Sequence, residues 1–221
     1  DVIAGPVTIA GAGAVFVYFG SATGPPVVPD KILRASTPIA NALFGFSVAA
    51  GNVSGDGRKD IIIGAPGESY TANVSGLPAT ASVTAGKVYV FRGEDISAAG
   101  NPSPFLSVYL NGSTYFSNGI AGLLSANVSV NALFGFSVAA TEDMNGDGLG
   151  EVVVGAPGYA AAGLLPLLPV RTGAAIVYYS NNLGTNTPVK LTEPSASVLG
   201  IPVISDGLLF GFSVDGAGDY N

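Results

Sequence analysis

The sequence predicts an all-β fold of β-propeller-type, four-stranded antiparallel blades, and three observations predict it. One stretch occurs twice almost letter for letter, as NALFGFSVAAGNVSGDGRKDIIIGAPG from Asn41 to Gly67 and NALFGFSVAATEDMNGDGLGEVVVGAPG from Asn131 to Gly158. It begins a third time at Leu209, LFGFSVDGAGDYN, so everything else lies between copies of one unit. Second, each unit carries four strand candidates in fixed order, the number in a propeller blade. Third, only 10% of the residues are charged, against roughly 25% in ordinary soluble domains. Gly (32) and Pro (15) are abundant, a mixture suited to short strands joined by turns.

The first strand candidate is FGFSVAA. At period two it sets Phe44, Phe46, Val48 and Ala50 on one face and Gly45, Ser47 and Ala49 on the other. The small face permits close approach of a neighbouring backbone. The second candidate, Ile61 to Ile63 or Val152 to Val154, is a continuous β-branched run, as in strands covered on both faces. Pro66 and Pro157, which cannot donate to a ladder, end it. The third is Gly-led and rich in aromatic residues: GAVFVYFG from Gly13 to Gly20, GKVYVFRG from Gly86 to Gly93 and GAAIVYYS from Gly173 to Ser180. A weaker fourth run follows at Lys31 to Leu33, Phe105 to Leu110 and Val189 to Thr192. Asp1 to Pro6 matches Asp60 to Pro66 but for one Ala, so the chain opens in mid-unit. The expected divisions are a partial blade over 1–40 (strands two to four), blades over 41–130 and 131–208, and the start of another over 209–221. The units exceed common blades in length, and the excess lies in their loops.

With 221 residues, 48% of them apolar, the chain can bury a substantial core. A formal net charge of −7 argues against nucleic-acid binding and is compatible with cation binding. There is no Cys, His or Trp. That removes disulfides and thiolate sites, imidazole bases, His-containing zinc sites and Ser-His-Asp triads, so catalysis would need carboxylates alone. No signal peptide precedes the strand-like run after Asp1. The apolar stretch Tyr159 to Val170 is interrupted by Gly163, Pro166 and Pro169 and is too short to span a bilayer. The expectation is mature or excised soluble material with no transmembrane segment.

Between strands one and two of the second full unit, Asp143, Asn145, Asp147 and Glu151 stand at loop positions 1, 3, 5 and 9. Gly148 at position 6 permits a sharp bend, and Leu149 at position 7 can offer its carbonyl. Alternate oxygens in so tight a turn can converge on one hard cation, which reads as Ca2+; sodium or structural hydrogen bonding alone is the alternative. The first copy has Asn52, Ser54, Asp56, Arg58 and Asp60 at positions 1, 3, 5, 7 and 9. With two carboxylates in place of three it predicts weaker binding. Asn52 also opens the sequon Asn52-Val53-Ser54, and a glycosylated Asn52 would not serve as a convergent ligand; the match to its sibling loop favours the metal reading. Asp219 and Asn221 match positions 1 and 3 of a third loop, and Asp1 matches position 9. An EF-hand would need Glu at position 12, where Ile63 and Val154 stand.

In an up-and-down sheet the 1-2 and 3-4 loops share one edge, and the 2-3 and 4-1 loops share the other. The oxygen-rich loops are 1-2 loops. The sequons at Asn73, Asn111 and Asn127 fall in or beside the opposite loops and would decorate that edge with glycans, unless they are chance matches. The Pro-rich loop from Tyr159 to Val170 lies there too, as an interaction surface or packed under its own loop.

Phe-Gly at 44–45, 134–135 and 210–211, the DxNxDGxxD-type loops and Gly-Ala-Pro at 64–66 and 155–157 resemble FG-GAP repeats, the blades of integrin α-subunit β-propellers and related extracellular proteins. The resemblance covers nearly the whole chain. It implies calcium sites on the 1-2 loops and adhesion or ligand recognition from the opposite edge. Family propellers usually close with seven blades, whereas this chain supplies about three repeats and is not a closed propeller by itself. Either it is an excerpt of a longer repeat protein or its ends join neighbouring copies in an open array. The leading expectation is thus a non-enzymatic extracellular calcium-binding module with an adhesive or structural role, as a subunit or segment of a fibre, self-associating or joined to neighbouring repeats. A carbohydrate-binding propeller is the alternative, with Tyr70, Tyr115 or Tyr159 as stacking surfaces for a glycan ligand. A third reading is the accessory region of a larger secreted enzyme; intrinsic catalysis is not expected, because the acids cluster in the metal loops.

Overall fold

A computed structural model describes residues 9–73, 80–109, 131–161, 170–180, 188–192, 196–198, 201–203 and 209–217. Strands β1 (Val15–Val17) and β2 (Lys31–Leu33) pair antiparallel. The first full blade contains β3 (Ser47–Gly51), β4 (Asp60–Ala65), the paired β5 (Ser69–Asn73) and β6 (Thr80–Thr84), then β7 (Lys87–Phe91), a short helix α1 (Gly93–Ser97) and β8 (Leu106–Tyr109). The second contains β9 (Ser137–Ala140), β10 (Val152–Ala156), the paired β11 (Ala160–Ala161) and β12 (Val170–Arg171), then β13 (Ala174–Tyr178) and β14 (Val189–Leu191). Each blade is one four-stranded antiparallel sheet, β3-β4-β7-β8 and β9-β10-β13-β14. A further pair, β15 (Ala196–Val198) and β16 (Ile201–Val203), precedes the third copy. The two-stranded inserts and α1 occupy stretches that sequence reasoning left as loops. Among the described residues no helix is long and apolar enough to cross a membrane.

The first strand corrects the predicted faces. Phe44 is buried, whereas Phe46 is 51% and Val48 54% exposed. Gly45, between the two rings, is left-handed with φ 92°, and the turn it makes returns the Phe46 amide to the Leu43 carbonyl at 3.0 Å. Regular alternation therefore begins only at Ser47, where β3 starts. Phe46 instead meets Phe136, and Phe136 meets Phe212, as tilted ring pairs with centroids 4.8 Å apart and planes at 47° and 43°. The small inner face behaves as expected: the Ser47 hydroxyl donates to the Gly135 carbonyl of the next blade at 2.8 Å, and Ser137 repeats this toward Gly211 at 3.0 Å.

The β-branched second strand is covered on both faces. Ile62 joins Val88 and Val90 in a cluster shared with Phe134, Val152, Val154 and Ile176 of the second blade. Ile63, one residue on, joins Tyr89 and Phe91 in a cluster with Leu33, Ala35 and Phe44, against which Val15 and Val17 of the partial blade pack. Full burial of such side chains stabilises by roughly 1.5–3 kcal/mol each, so most of the core lies between blades. Phe44 meets Tyr89 and Phe91 edge-on, with centroids 5.1 and 6.2 Å apart.

Successive units are joined at one recurring contact. Gly13, Gly86 and Gly173 each form an isolated parallel bridge with the Phe of the next Phe-Gly, respectively Phe44, Phe134 and Phe210. The Phe134 amide donates to the Ala85 carbonyl at 2.9 Å, as Phe44 does to Ala12 at 2.9 Å. Gly86 has φ 90°, and a Cβ there would run into the carbonyl oxygen of Phe134, so no larger residue fits without moving the blades apart. Replacing Gly86 by Ala should destabilise the protein by about 2 kcal/mol or more, through the left-handed φ and the backbone clash together. Thermal unfolding checks this; a melting temperature equal to wild type would show the joint to be dispensable.

Candidate metal centre

The loop between β9 and β10 turns on Gly146 and Gly148, both left-handed with φ 79° and 89°, which brings the alternate oxygens inward. Asp143 Oδ1 accepts the Gly146 and Asp147 amides at 2.7 and 3.0 Å, and its Oδ2 accepts the Gly148 amide at 2.7 Å. Asn145 Oδ1 accepts the Asp147 amide at 2.9 Å, and its side-chain amide donates to Asp147 Oδ2 at 3.0 Å. Asp147 Oδ1 accepts the Leu149 amide at 2.9 Å. Glu151 is fully buried. Its Oε2 accepts the Met144 amide at 2.8 Å and lies 3.3 Å from the Thr141 hydroxyl, while its Oε1 is buried with no hydrogen-bond partner.

The electrostatics pull the two ends of this loop apart. The Gly148 amide, helped by those of Gly146, Asp147 and Asn145 and opposed by desolvation, holds the Asp143 carboxyl below its ordinary value. Burial pushes the Glu151 carboxyl up, and the charges of Asp147 and Asp143 add to that push, against the Met144 amide and the Thr141 hydroxyl. One carboxylate oxygen from each of Asp143, Asp147 and Glu151 lies within 4.8 Å of the other two. Oxygens sharing a calcium ion, each 2.3–2.6 Å from it, are at most roughly 5 Å apart. The donor set, the spacing and the orphaned Oε1 all fit a hard divalent cation held by Asp143, Asn145, Asp147, the Leu149 carbonyl and Glu151.

The first loop is built differently. Asp60 is fully buried and saturated: Oδ2 accepts the Val53 and Ser54 amides, both at 2.7 Å, and Oδ1 accepts the Ser54 hydroxyl and the Gly93 amide, both at 2.9 Å. Asp56 accepts the Arg58 and Glu94 amides at 2.8 Å each, and the Arg58 guanidinium donates to the Ser97 hydroxyl at 2.8 Å. Asn52 keeps Oδ1 buried without a partner. These bonds from α1 place the 3-4 loop against the 1-2 loop, the edge arrangement expected. The loops of successive blades also touch, the Gly150 amide donating to the Asn52 carbonyl at 3.0 Å.

Of the remaining expectations, Asp1, Asp219, Asn221, Asn111, Asn127 and Tyr115 lie outside the described residues. Asn73 ends β5 in the 2-3 connection, and of the Tyr70 and Asn73 side chains nothing is described. Tyr159 requires correction as a stacking surface: it is only 3% exposed, with Lys190 Nζ over its ring at 4.7 Å and donating to its hydroxyl at 2.8 Å. Sequence reasoning missed Thr141 and Gly93, which partner the ninth-position acids from outside the loops; the polar Thr141 in place of Gly51 was the available signal.

A carboxyl whose pKa is raised by folding holds its proton more tightly in the fold. Its charged form therefore costs stability above the folded-state pKa, and that cost fades as pH falls through it. In the presence of chelator, Glu151→Gln should raise the melting temperature at neutral pH, by an increment that shrinks as pH falls toward the ordinary carboxylate range near ~4. Melting curves over a pH series check this, and a pH-independent increment would refute the burial argument.

Comparison with known proteins agrees with the repeat structure. The FG-GAP repeat pattern matches residues 44–91 and 134–178, from the jointing Phe to the end of the third strand. Human integrin alpha-E is 32% identical over 151 residues, covering 67% of this chain and 11% of that protein. Human integrin alpha-IIb is 30% identical over 179 residues (80% and 13%), and Drosophila melanogaster integrin alpha-PS2 is 27% identical over 180 (80% and 10%). The chain thus spans about a tenth of the length of these relatives. With its Phe-Gly joints, 1-2 loops and four-stranded blades in register with that pattern, the chain belongs to the FG-GAP repeat family, whose integrin alpha members carry such repeats as β-propeller blades.

Proposed function

We propose that this chain is a non-enzymatic, extracellular or cell-surface blade module that binds calcium and serves adhesion or structure, as part of a larger propeller or of a fibre of neighbouring repeats. The observation that carries the reading is the Asp143–Glu151 loop, with three carboxylates around one point and a buried Glu151 oxygen lacking any donor. A bound cation would supply positive charge at that point and so compensate the Glu151 carboxylate, whose burial beside the Asp147 and Asp143 charges costs stability. The chain's own residues do the rest: Gly146 and Gly148 shape the turn, backbone amides orient Asp143 and Asp147, and Met144 with Thr141 holds Glu151 by one oxygen so that the other stays available. The adhesive part is supported by the kinship with integrin alpha subunits and by the half-exposed aromatic ladder of Phe46 and Phe212 about Phe136. Against catalysis stands the engagement of several acids beyond the loops, among the described residues. Glu68 is buried with the Tyr89 hydroxyl and Lys87, and Glu94 and Asp95 flank Arg92.

Calcium at about 100 times its dissociation constant should stabilise the fold by ~2.7 kcal/mol, seen as a melting temperature that rises with calcium and falls with EDTA. Glu151→Gln should lose this response; a wild-type curve indifferent to EDTA would end the calcium reading. For the fibre version, electron micrographs of the native particle should show continuous filaments, and closed discs alone would exclude it.

A further inference from the structure

We propose that the first loop, 52–60, is a metal-independent counterpart of the second, its ninth-position carboxylate saturated by protein donors where the second loop leaves an oxygen of Glu151 for a cation. The contrast rests on reading 143–151 as a cation loop. A carboxylate offers about four lone-pair sites, and all four on Asp60 are taken, by the Val53, Ser54 and Gly93 amides and the Ser54 hydroxyl. Glu151, at the same position, leaves a whole oxygen without a donor. Asp56 is drawn toward α1 through the Glu94 amide. Position 1 carries neutral Asn52 instead of Asp143, and position 7 carries Arg58, a cation in its own right. Asn52 Oδ1 is the one buried side-chain oxygen of this loop left without a donor, and a single neutral side-chain oxygen does not stand in for the carboxylates among the six to eight oxygens that calcium gathers.

Gly93 makes the substitution of amide for ion sterically feasible. A Cβ at this residue would stand 2.7 Å from the Lys59 carbonyl oxygen and 2.5 Å from Arg58 Cβ, so only glycine lets the end of β7 come close enough for its amide to reach Asp60. In the second blade Tyr178 pairs with Val152 as Phe91 pairs with Ile61, which puts Ser180 at the place of Gly93. Ser180 turns its hydroxyl to the Gly150 carbonyl, and Glu151 Oε1 receives nothing.

The test is to count calcium ions in the intact protein by native mass spectrometry, for wild type, Asp147→Ala and Asp56→Ala, with Asp56→Asn and Asp147→Asn standing in should either alanine variant fail to fold. We expect the change at Asp147 to remove one ion and the change at Asp56 to remove none. Loss of an ion on changing Asp56 would overturn the proposal. If neither change removes an ion, the first loop is still metal-independent and it is the cation reading of the second loop that fails.

Discussion

The architecture depends on one residue doing two jobs, the Phe of the Phe-Gly in each full blade, Phe44 and Phe134. Its amide closes a parallel bridge to the preceding unit, 2.9 Å from Ala85 in the case of Phe134, while its ring, fully buried, sits in the cluster that both blades share. Hydrogen-bond register and hydrophobic packing are thus set together, and neither slips without the other. The same contact brings β3 and β9 side by side and aligns the 1-2 loops that follow them, so that Gly150 bonds Asn52 across the boundary. The chemistry of the loops therefore inherits its geometry from a backbone contact at the far end of the strands.

At that edge both blades must bury an acid at the end of the loop, and burying a charge costs several kcal/mol unless donors or counter-charge compensate it. Asp60 is short enough to draw two amides of its own loop onto one oxygen, and α1 and Ser54 serve the other. Glu151, one methylene longer, reaches the equivalent Met144 amide with a single oxygen and projects the second beyond any donor. Burial, with the Asp147 and Asp143 charges behind it, raises its pKa against only the Met144 and Thr141 donors, whereas the amides that converge on Asp143 depress that one. Within one loop, the turn amides satisfy the first acid and leave the last incompletely solvated.

What was legible in the sequence was whatever is local or repeated. The weak run Lys31 to Leu33 is β2, with those limits, because its place in a recurring unit identified it when its composition could not. The continuous β-branched runs became strands buried on both faces because blade stacking leaves the second strand no solvent side. Loop positions 1, 3, 5 and 9 were readable because the ligand spacing is contained in nine residues. Period-two counting sets Phe44 and Phe46 on one face because it assumes extended backbone, and the left-handed Gly45 between them (φ 92°) breaks it. Helix α1 spans five residues, too few for a helical period to appear. Gly93 lies 33 residues from Asp60, so its part in the site exists only once the sheet has formed.

A second pair of equivalent positions shows how far the blades vary within this frame. Glu68 and Tyr159 both follow Gly-Ala-Pro-Gly, and the register equates Lys87 with Ala174 and Tyr89 with Ile176. In the first blade buried Glu68 accepts the Tyr89 hydroxyl at 2.7 Å and lies 3.4 Å from Lys87 Nζ. In the second all three positions change together: the acid becomes a phenol, its two partners become apolar, and Lys190 reaches the Tyr159 hydroxyl from β14 instead. Changing one member alone would strand a charge or a hydroxyl in the core, whereas changing the set leaves each blade compensated. The two blades thus share the backbone joint letter for letter and differ in polar groups exchanged as whole sets, and the unequal 1-2 loops are another instance of the same rule.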